Sequence, residues 1–271
     1  MIPFMMRIGF FDSGLGGLMI LKAARQMLPR HDFVYFGDTL HLPYGGRSND
    51  AIYDYTQAAA EYLFRSEDCA LIIVACNTAS AAALRRLQQG WLAEYFPDRR
   101  ILGVVIPTLE VTIEKNCRRA GLLATERLVQ SQIYQIELQK LNPEIQIFAA
   151  AAPLLVPLIE NDGGRWLPEV LKHYLSPLLA ENIDALILGC THYPFLRPYL
   201  RDLLPEGFPV LSQDEIIPGK LADYLARHPE IDEKISRNGL TKYLVTDITS
   251  NYTKTAAEIY GASLDLEKVV L

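Results

Sequence analysis

The stretches ALIIVACNTAS, residues 70–80, and ALILGCTHYP, residues 185–194, are two versions of one pattern. Each is an apolar run of strand length that stops at a cysteine and continues into polar, hydroxyl-bearing residues. An unbroken apolar run bounded by a turn signal is what a strand buried on both faces of a parallel sheet looks like. The two cysteines, Cys76 and Cys190, are 114 residues apart, and the match extends upstream of them. IGFFDSG, from Ile8, has its counterpart in AGLLATE, from Ala120, at an offset of 112. A duplicated α/β unit would leave such a pair of near-equal offsets.

Other runs of the same kind continue the pattern outward. Strands are expected near Arg7–Asp12, Phe33–Asp38, Ala70–Cys76, Ile101–Val105, Gly121–Thr125, Ile145–Ala151, Ala185–Cys190, Pro209–Gln213 and Tyr243–Asp247, with a further one in the tail. Segments of helical period lie between them. The clearest runs from Asn49 to Arg65, with Ser48 as its cap and Ile52, Tyr55, Ala59 and Leu63 on one face. Strand and helix in alternation specify a mainly parallel sheet. The fold expected is therefore α/β, built as two pseudo-symmetric open domains: residues 1–104 joined by 214–271, and residues 105–213. In an open parallel sheet the ligand sits outside the carboxyl ends of the strands. Asp12-Ser13, Gly37-Asp38-Thr39, Cys76-Asn77-Thr78 and Cys190-Thr191-His192 all fall there, so two such sheets facing one another would gather them into one cleft.

Composition narrows the classes. The chain has 271 residues, half of them hydrophobic, and a formal charge of −6 with no basic run to offset it, which argues against a nucleic-acid surface. The apolar start is interrupted too soon, by Arg7 and Asp12, to read as a signal peptide, and no run approaches the about 18 apolar residues of a membrane helix. A cytoplasmic protein is expected. Four cysteines without C-x-x-C spacing read as free thiols, and the five histidines are too scattered for a metal site. GLGG at Gly14–Gly17 is out of register with G-x-G-x-x-G, and no phosphate loop with its lysine occurs, so no cofactor is announced.

A cysteine between a strand and a helix lies near unpaired N–H groups, which would stabilise its thiolate; Asn77 or Thr78 is the expected cap of the helix after Cys76. Cys69 and Cys117 read as small buried hydrophobes. For Cys76 and Cys190, a redox couple is disfavoured by their separation in sequence, and a Cys190–His192 nucleophile pair by their proximity on a single turn. What remains is a pair of acid/base groups on opposite sides of one substrate carbon, which inverts the centre. Asp12, His192 and Glu160 are titratable groups that could relay protons. Ser13, Tyr44, Gly45, Asn77, Thr78, Thr125 and Thr191 supply donors suited to a small carboxylate. Taken singly, Asp12 reads equally as a turn opener, His192 as a structural histidine and Glu160 as a helix-surface carboxylate.

FDSGLGGL (Phe11–Leu18), YFGDT (Tyr35–Thr39), LPYGGRS (Leu42–Ser48), ACNTAS (Ala75–Ser80) and LGCTHYP (Leu188–Pro194) resemble the signature blocks of the glutamate racemase family, in the cofactor-independent aspartate/glutamate racemase superfamily. PLLVPLIE and TDITSNY resemble further family segments. The resemblance implies two α/β domains with the active site between them, no cofactor, and interconversion of L- and D-glutamate that supplies D-glutamate for peptidoglycan. It implies Cys76 and Cys190 as the paired catalytic groups, Cys76 acting on the D- and Cys190 on the L-enantiomer. Asp12 would assist the first thiol, and Glu160 with His192 the second. Asp12, Ser13, Tyr44, Gly45, Asn77, Thr78, Thr191 and His192 are the implied substrate-binding positions. The partner implied is glutamate, and a homodimer is compatible. The chain departs from the family pattern at Ala152, at Glu126-Arg127-Leu128 and at LSQDE, residues 211–215.

Two other readings compete. The same fold could serve an aspartate racemase or another superfamily isomerase or decarboxylase, with pocket size deciding the substrate. A non-catalytic protein closing on an acidic amino acid is the third reading, disfavoured because a binder needs no thiol on each wall.

Overall fold

The strand order repeats within the molecule. In the computed structural model, which describes residues 6–271, one sheet runs β10-β9-β2-β1-β3-β4 and the other β6-β5-β7-β8. The strands are β1 (Arg7–Asp12), β2 (Phe33–Gly37), β3 (Cys69–Val74), β4 (Arg100–Gly103), β5 (Arg119–Ala124), β6 (Gln146–Ala151), β7 (Ala185–Gly189), β8 (Val210–Leu211), β9 (Thr241–Val245) and β10 (Leu266–Lys268). The order β2-β1-β3-β4 in the larger sheet recurs as β6-β5-β7-β8 in the smaller, and every pairing is parallel. β1 and β5 begin at Arg7 and Arg119, the offset of 112 that the sequence repeat shows. β9 and β10 extend the first sheet beyond β2. Residues 1–5, where the apolar start of the chain falls, lie outside the described residues.

The central strands are apolar throughout because helices cover both faces of each sheet. β2, β3 and β7 are buried at every position. The helix Asn49–Arg65 starts at Ser48, whose Oγ accepts from Ala51 N at 3.2 Å. Ile52, Ala59 and Leu63 are buried on its inner face. Tyr55 is only half-buried and stacks on His41, with 4.1 Å between ring centroids.

One apolar core joins the two halves. It runs from Ile8 and Phe10 on β1, through Leu18 and Leu21, Val105 and Leu109, and Ile217 and Leu221 on three intervening helices, to Leu122 on β5 and Ile187 on β7. That shared core holds the sheets so that their carboxyl ends open onto one cleft. No helix of the described residues is long and apolar enough to cross a membrane.

Several strands end sooner than expected, and for the site this matters. β3 stops at Val74 and β7 at Gly189, leaving both cysteines off the strands. After Ala75 N donates to Phe11 O at 2.8 Å the ladder ends, and Cys76 is free to take up a helix-capping conformation. The Pro209–Gln213 strand shrinks to Val210–Leu211, because Gln213 already opens the helix Gln213–Arg227.

Candidate active site

A cavity of about 430 Å³, including the space at its mouth, lies between the carboxyl ends of the two sheets. Ser13, Tyr44, Gly45, Cys76, Asn77, Thr78, Thr125, Glu160, Cys190, Thr191 and His192 all line it, so eleven of the twelve residues singled out from sequence meet there. Asp12 does not. It is fully buried beneath the cavity floor, where its Oδ2 accepts from Gly14 N and Gly17 N, each at 3.2 Å, and its Oδ1 from Thr191 Oγ1 at 3.3 Å. Burial raises the Asp12 carboxyl above the ordinary aspartate range, against the pull of His192 and of these hydrogen bonds.

The glycines beside Asp12 permit this close approach. A Cβ on Gly17 would sit 2.8 Å from Asp12 Cβ, and one on Gly16 would sit 2.8 Å from the Thr191 carbonyl carbon. GLGG is therefore a place where one half of the molecule touches the other and not a phosphate loop.

Cys76 itself caps the helix Asn77–Ala82: its Sγ accepts from Ala79 N at 3.4 Å, the role the sequence offered to Asn77 or Thr78. The Cys76 thiol also donates to Ser13 Oγ at 3.4 Å. The expected easing of ionisation is outweighed. Burial, with the Asp12 carboxylate beside it, pushes the thiol up to about 12, and the Ser13 and Ala79 hydrogen bonds only partly offset this.

On the opposite wall, His192 Nδ1 lies 3.9 Å from Cys190 Sγ, a contact not expected of residues two apart on one turn. No α-helix starts at Cys190; a short 3-10 turn, Tyr193–Leu196, follows, with His192 at its N-cap. His192 Nε2 is 2.8 Å from Glu160 Oε1, with the two side chains only 6% and 12% exposed. Burial opposes charge on this imidazole, yet Cys190 and Glu160 together raise its pKa well above the ordinary histidine value. Glu160 is thus a partly buried partner of His192 and not a solvated helix-surface group.

Other side chains of the cleft are already engaged. Thr78 Oγ1 and Thr125 Oγ1 are 3.0 Å apart, a hydrogen bond from one half of the molecule to the other. Tyr44 donates its hydroxyl to Asp38 Oδ2 at 2.6 Å, away from the cleft, and Asp38 also accepts from Thr246 Oγ1 at 2.8 Å. Asn77 is held from behind by residues not foreseen as part of the site. Its Oδ1 accepts from Tyr134 OH at 2.8 Å and its Nδ2 donates to Gln213 Oε1 at 3.2 Å. Gln213 comes from the departing LSQDE stretch, and its place at the end of β8 was the available signal. Tyr134 comes from the first turn of the helix Ile133–Leu141, within the family-like stretch GLLATERLVQSQIY, and that likeness was its only signal.

Two thiols on facing walls, one backed by a buried carboxylate and the other by an imidazole–carboxylate pair, can exchange protons with a carbon held between them. The surrounding hydroxyls, amides and backbone N–H groups suit a carboxylate.

Comparison with known proteins bears on the family. Residues 19–216 match the family model described as Asp/Glu/Hydantoin racemase. A glutamate racemase of Phenylobacterium zucineum is 35% identical, covering 97% of this chain and 99% of its own. Among solved structures, a glutamate racemase isoform of Bacillus anthracis superposes with a TM-score of 0.88 at 29% identity, covering 98% of each chain. A glutamate racemase of Francisella tularensis, solved in complex with D-glutamate, superposes with a TM-score of 0.87 at 30% identity, covering 98% of this chain and 97% of that one.

Proposed function

Because this chain belongs to the Asp/Glu/Hydantoin racemase family, we propose that it interconverts L- and D-glutamate with Cys76 and Cys190 as its two proton-transfer groups. The observation that carries this reading is the placement of the two thiols on opposite walls of one cavity. In this mechanism the Cys76 thiolate removes the α-proton of D-glutamate and the Cys190 thiol delivers a proton to the opposite face. In the reverse direction the roles exchange. Asp12, buried beneath the cavity floor and felt electrostatically at the thiol, assists Cys76; His192, 3.9 Å from Cys190 and paired with Glu160, assists Cys190.

The α-proton is weakly acidic, and the carbanion that develops must be stabilised by the cleft. Donors aimed at the substrate carboxylate in a site closed to water supply this, each contributing roughly 3 kcal/mol when well placed. Ser13, Asn77, Thr78 and Thr125 are the side chains for that task, and Thr191, whose hydroxyl is given to Asp12, takes part through its backbone. Tyr44 takes part through its backbone, since Asp38 holds its hydroxyl.

In this reading residues 1–104 with 214–271 form one domain and 105–213 the other. The separate sheets support that division, and the enzyme works in the cytoplasm to supply D-glutamate for the cell wall. The test is deuterium exchange. Incubated in D₂O with each enantiomer of glutamate and no added cofactor, the protein is expected to introduce α-deuterium while optical rotation decays. Exchange with aspartate but not glutamate would favour an aspartate racemase, and exchange with neither would leave a binding protein.

A further inference from the structure

We infer that Gln213 is a positioning residue for the racemisation: it fixes the Asn77 side-chain amide so that one N–H donor faces the substrate cleft. This rests on the racemase reading and concerns how the same site is built. Asn77, Gln213, Thr108 and Tyr134 are buried together, with exposures of 2%, 1%, 0% and 0%. Three of them come from different helices packed behind the cleft, Val105–Glu114, Ile133–Leu141 and Gln213–Arg227.

The direction of the chain of hydrogen bonds follows from its far end. Thr108 Oγ1 donates to the backbone carbonyl of Val104 at 2.7 Å, so its single proton is taken and toward Gln213 it can only accept. Gln213 Nε2 donates to it at 3.4 Å, which turns Gln213 Oε1 toward Asn77. That oxygen accepts from Asn77 Nδ2 at 3.2 Å. Asn77 Oδ1 is thereby turned to Tyr134, whose hydroxyl donates to it at 2.8 Å.

A reversed Asn77 would set its oxygen against the Gln213 oxygen, two buried acceptors with no proton between them. Such an unmade bond is disfavoured away from water. Of the two hydrogens on Asn77 Nδ2, one is committed to Gln213. The other has no partner among the described residues, and Asn77 lines the cavity. A backbone carbonyl at Val104 thus sets the polarity of a donor in the cleft through two side chains.

The experiment is a double-mutant cycle on kcat and KM for glutamate, with Gln213→Ala, Asn77→Ala and the double variant. Gln213→Ala is expected to lower kcat by about 10-fold with KM changed less than about twofold, because a donor loosened from its orientation is felt mainly at the transition state. In the Asn77→Ala background the same substitution should cost less than about twofold. Equal losses in both backgrounds would overturn the inference, since Gln213 would then act independently of Asn77.

Thr108→Val keeps the side-chain volume and removes the acceptor that orients Gln213, so it covers the case in which Gln213→Ala fails to fold. A lowered kcat at unchanged KM is expected of it, and an unchanged kcat would overturn the inference. A wild-type protein that fails to racemise glutamate would instead overturn the racemase reading and this inference with it, a result distinct from independent losses in an active enzyme.

Discussion

Thr191 donates its hydroxyl to Asp12 across the boundary between the two sheets, at 3.3 Å, and so ties the end of β7 to the end of β1 beneath the candidate active site. The same carboxylate accepts from Gly14 N and Gly17 N. Asp12→Asn can preserve this geometry by keeping its oxygen toward the glycine N–H groups while its amide donates to Thr191. It removes the charge, however. Since the carboxylate raises the ionisation of Cys76, the variant should show Cys76 reacting at lower pH, yet kcat should fall by about 100-fold because the assisting group is gone. Alkylation profiles and steady-state kinetics on the same preparation check both halves.

Cys76 in the ligand-free protein is a thiol throughout the neutral range, its ionisation pushed up to about 12 by burial and by Asp12. The thiolate is the reactive form, so its fraction rises about tenfold per pH unit below that value. Iodoacetamide modification of Cys76, followed by peptide mass spectrometry without substrate, should therefore keep accelerating from pH 7 to 10. Levelling off by about pH 9.5 would show an ordinary ionisation, and a plateau near pH 8 a depressed one.

How far the sequence discloses all this depends on what each residue answers to. β1, β3, β5 and β7 are legible because strands buried on both faces must be apolar throughout, and their turn residues mark where they end. Cys76 as a helix cap is not legible, since sulfur rarely takes that position and Asn77 or Thr78 had the stronger claim. Glu160 reads as a solvated carboxylate until the 3-10 turn brings His192 against it. Tyr134 and Gln213 reach Asn77, and Thr108 reaches Gln213, only through the packing of three helices, and no local pattern encodes that meeting.

Cys190 and Glu160, both raising the His192 imidazole, set the sign expected for the pH dependence of stability. The imidazole is raised well above its ordinary value, so its contribution is complete below about pH 6.5 and is lost as pH rises through the folded-state value. Glu160→Gln should cost about 1–3 kcal/mol at pH 6, the range for leaving a buried polar group without its partner. The difference from wild type should shrink toward alkaline pH. Urea unfolding of both proteins at pH 6, 7.5 and 9 measures it, and a difference that grows with pH would contradict the assignment.

Gly16 should tolerate no side chain. A Cβ there would meet the Thr191 carbonyl carbon at 2.8 Å, a contact with backbone that cannot rotate away, so the two halves would have to separate. Gly16→Ala is expected to destabilise the protein by about 1–3 kcal/mol and to depress kcat, because the cleft no longer closes to its designed width. Thermal unfolding alongside kinetics tests this, and a variant with wild-type kcat would mean that Thr191 moves aside without disturbing Cys190.

The assignment of one thiol to each enantiomer needs a measurement other than kcat/KM. Two enantiomers have equal free energies, so the equilibrium constant is one and kcat/KM must be the same in both directions for every variant, however asymmetric its defect. Exchange with solvent escapes that constraint, because a single functional thiol can remove and return a proton on its own face without inversion. Cys190→Ala should therefore abolish racemisation while retaining slow α-deuterium incorporation into D-glutamate in D₂O, and Cys76→Ala should retain it only into L-glutamate. Proton NMR of the recovered substrate reads the exchange, and chiral chromatography reads the configuration. The opposite pairing of variant and enantiomer would reverse the assignment while leaving the two-thiol mechanism intact. Exchange into both enantiomers by either single variant would mean that a group other than the two cysteines reaches the α-carbon, and His192, 3.9 Å from Cys190, would be the first to examine.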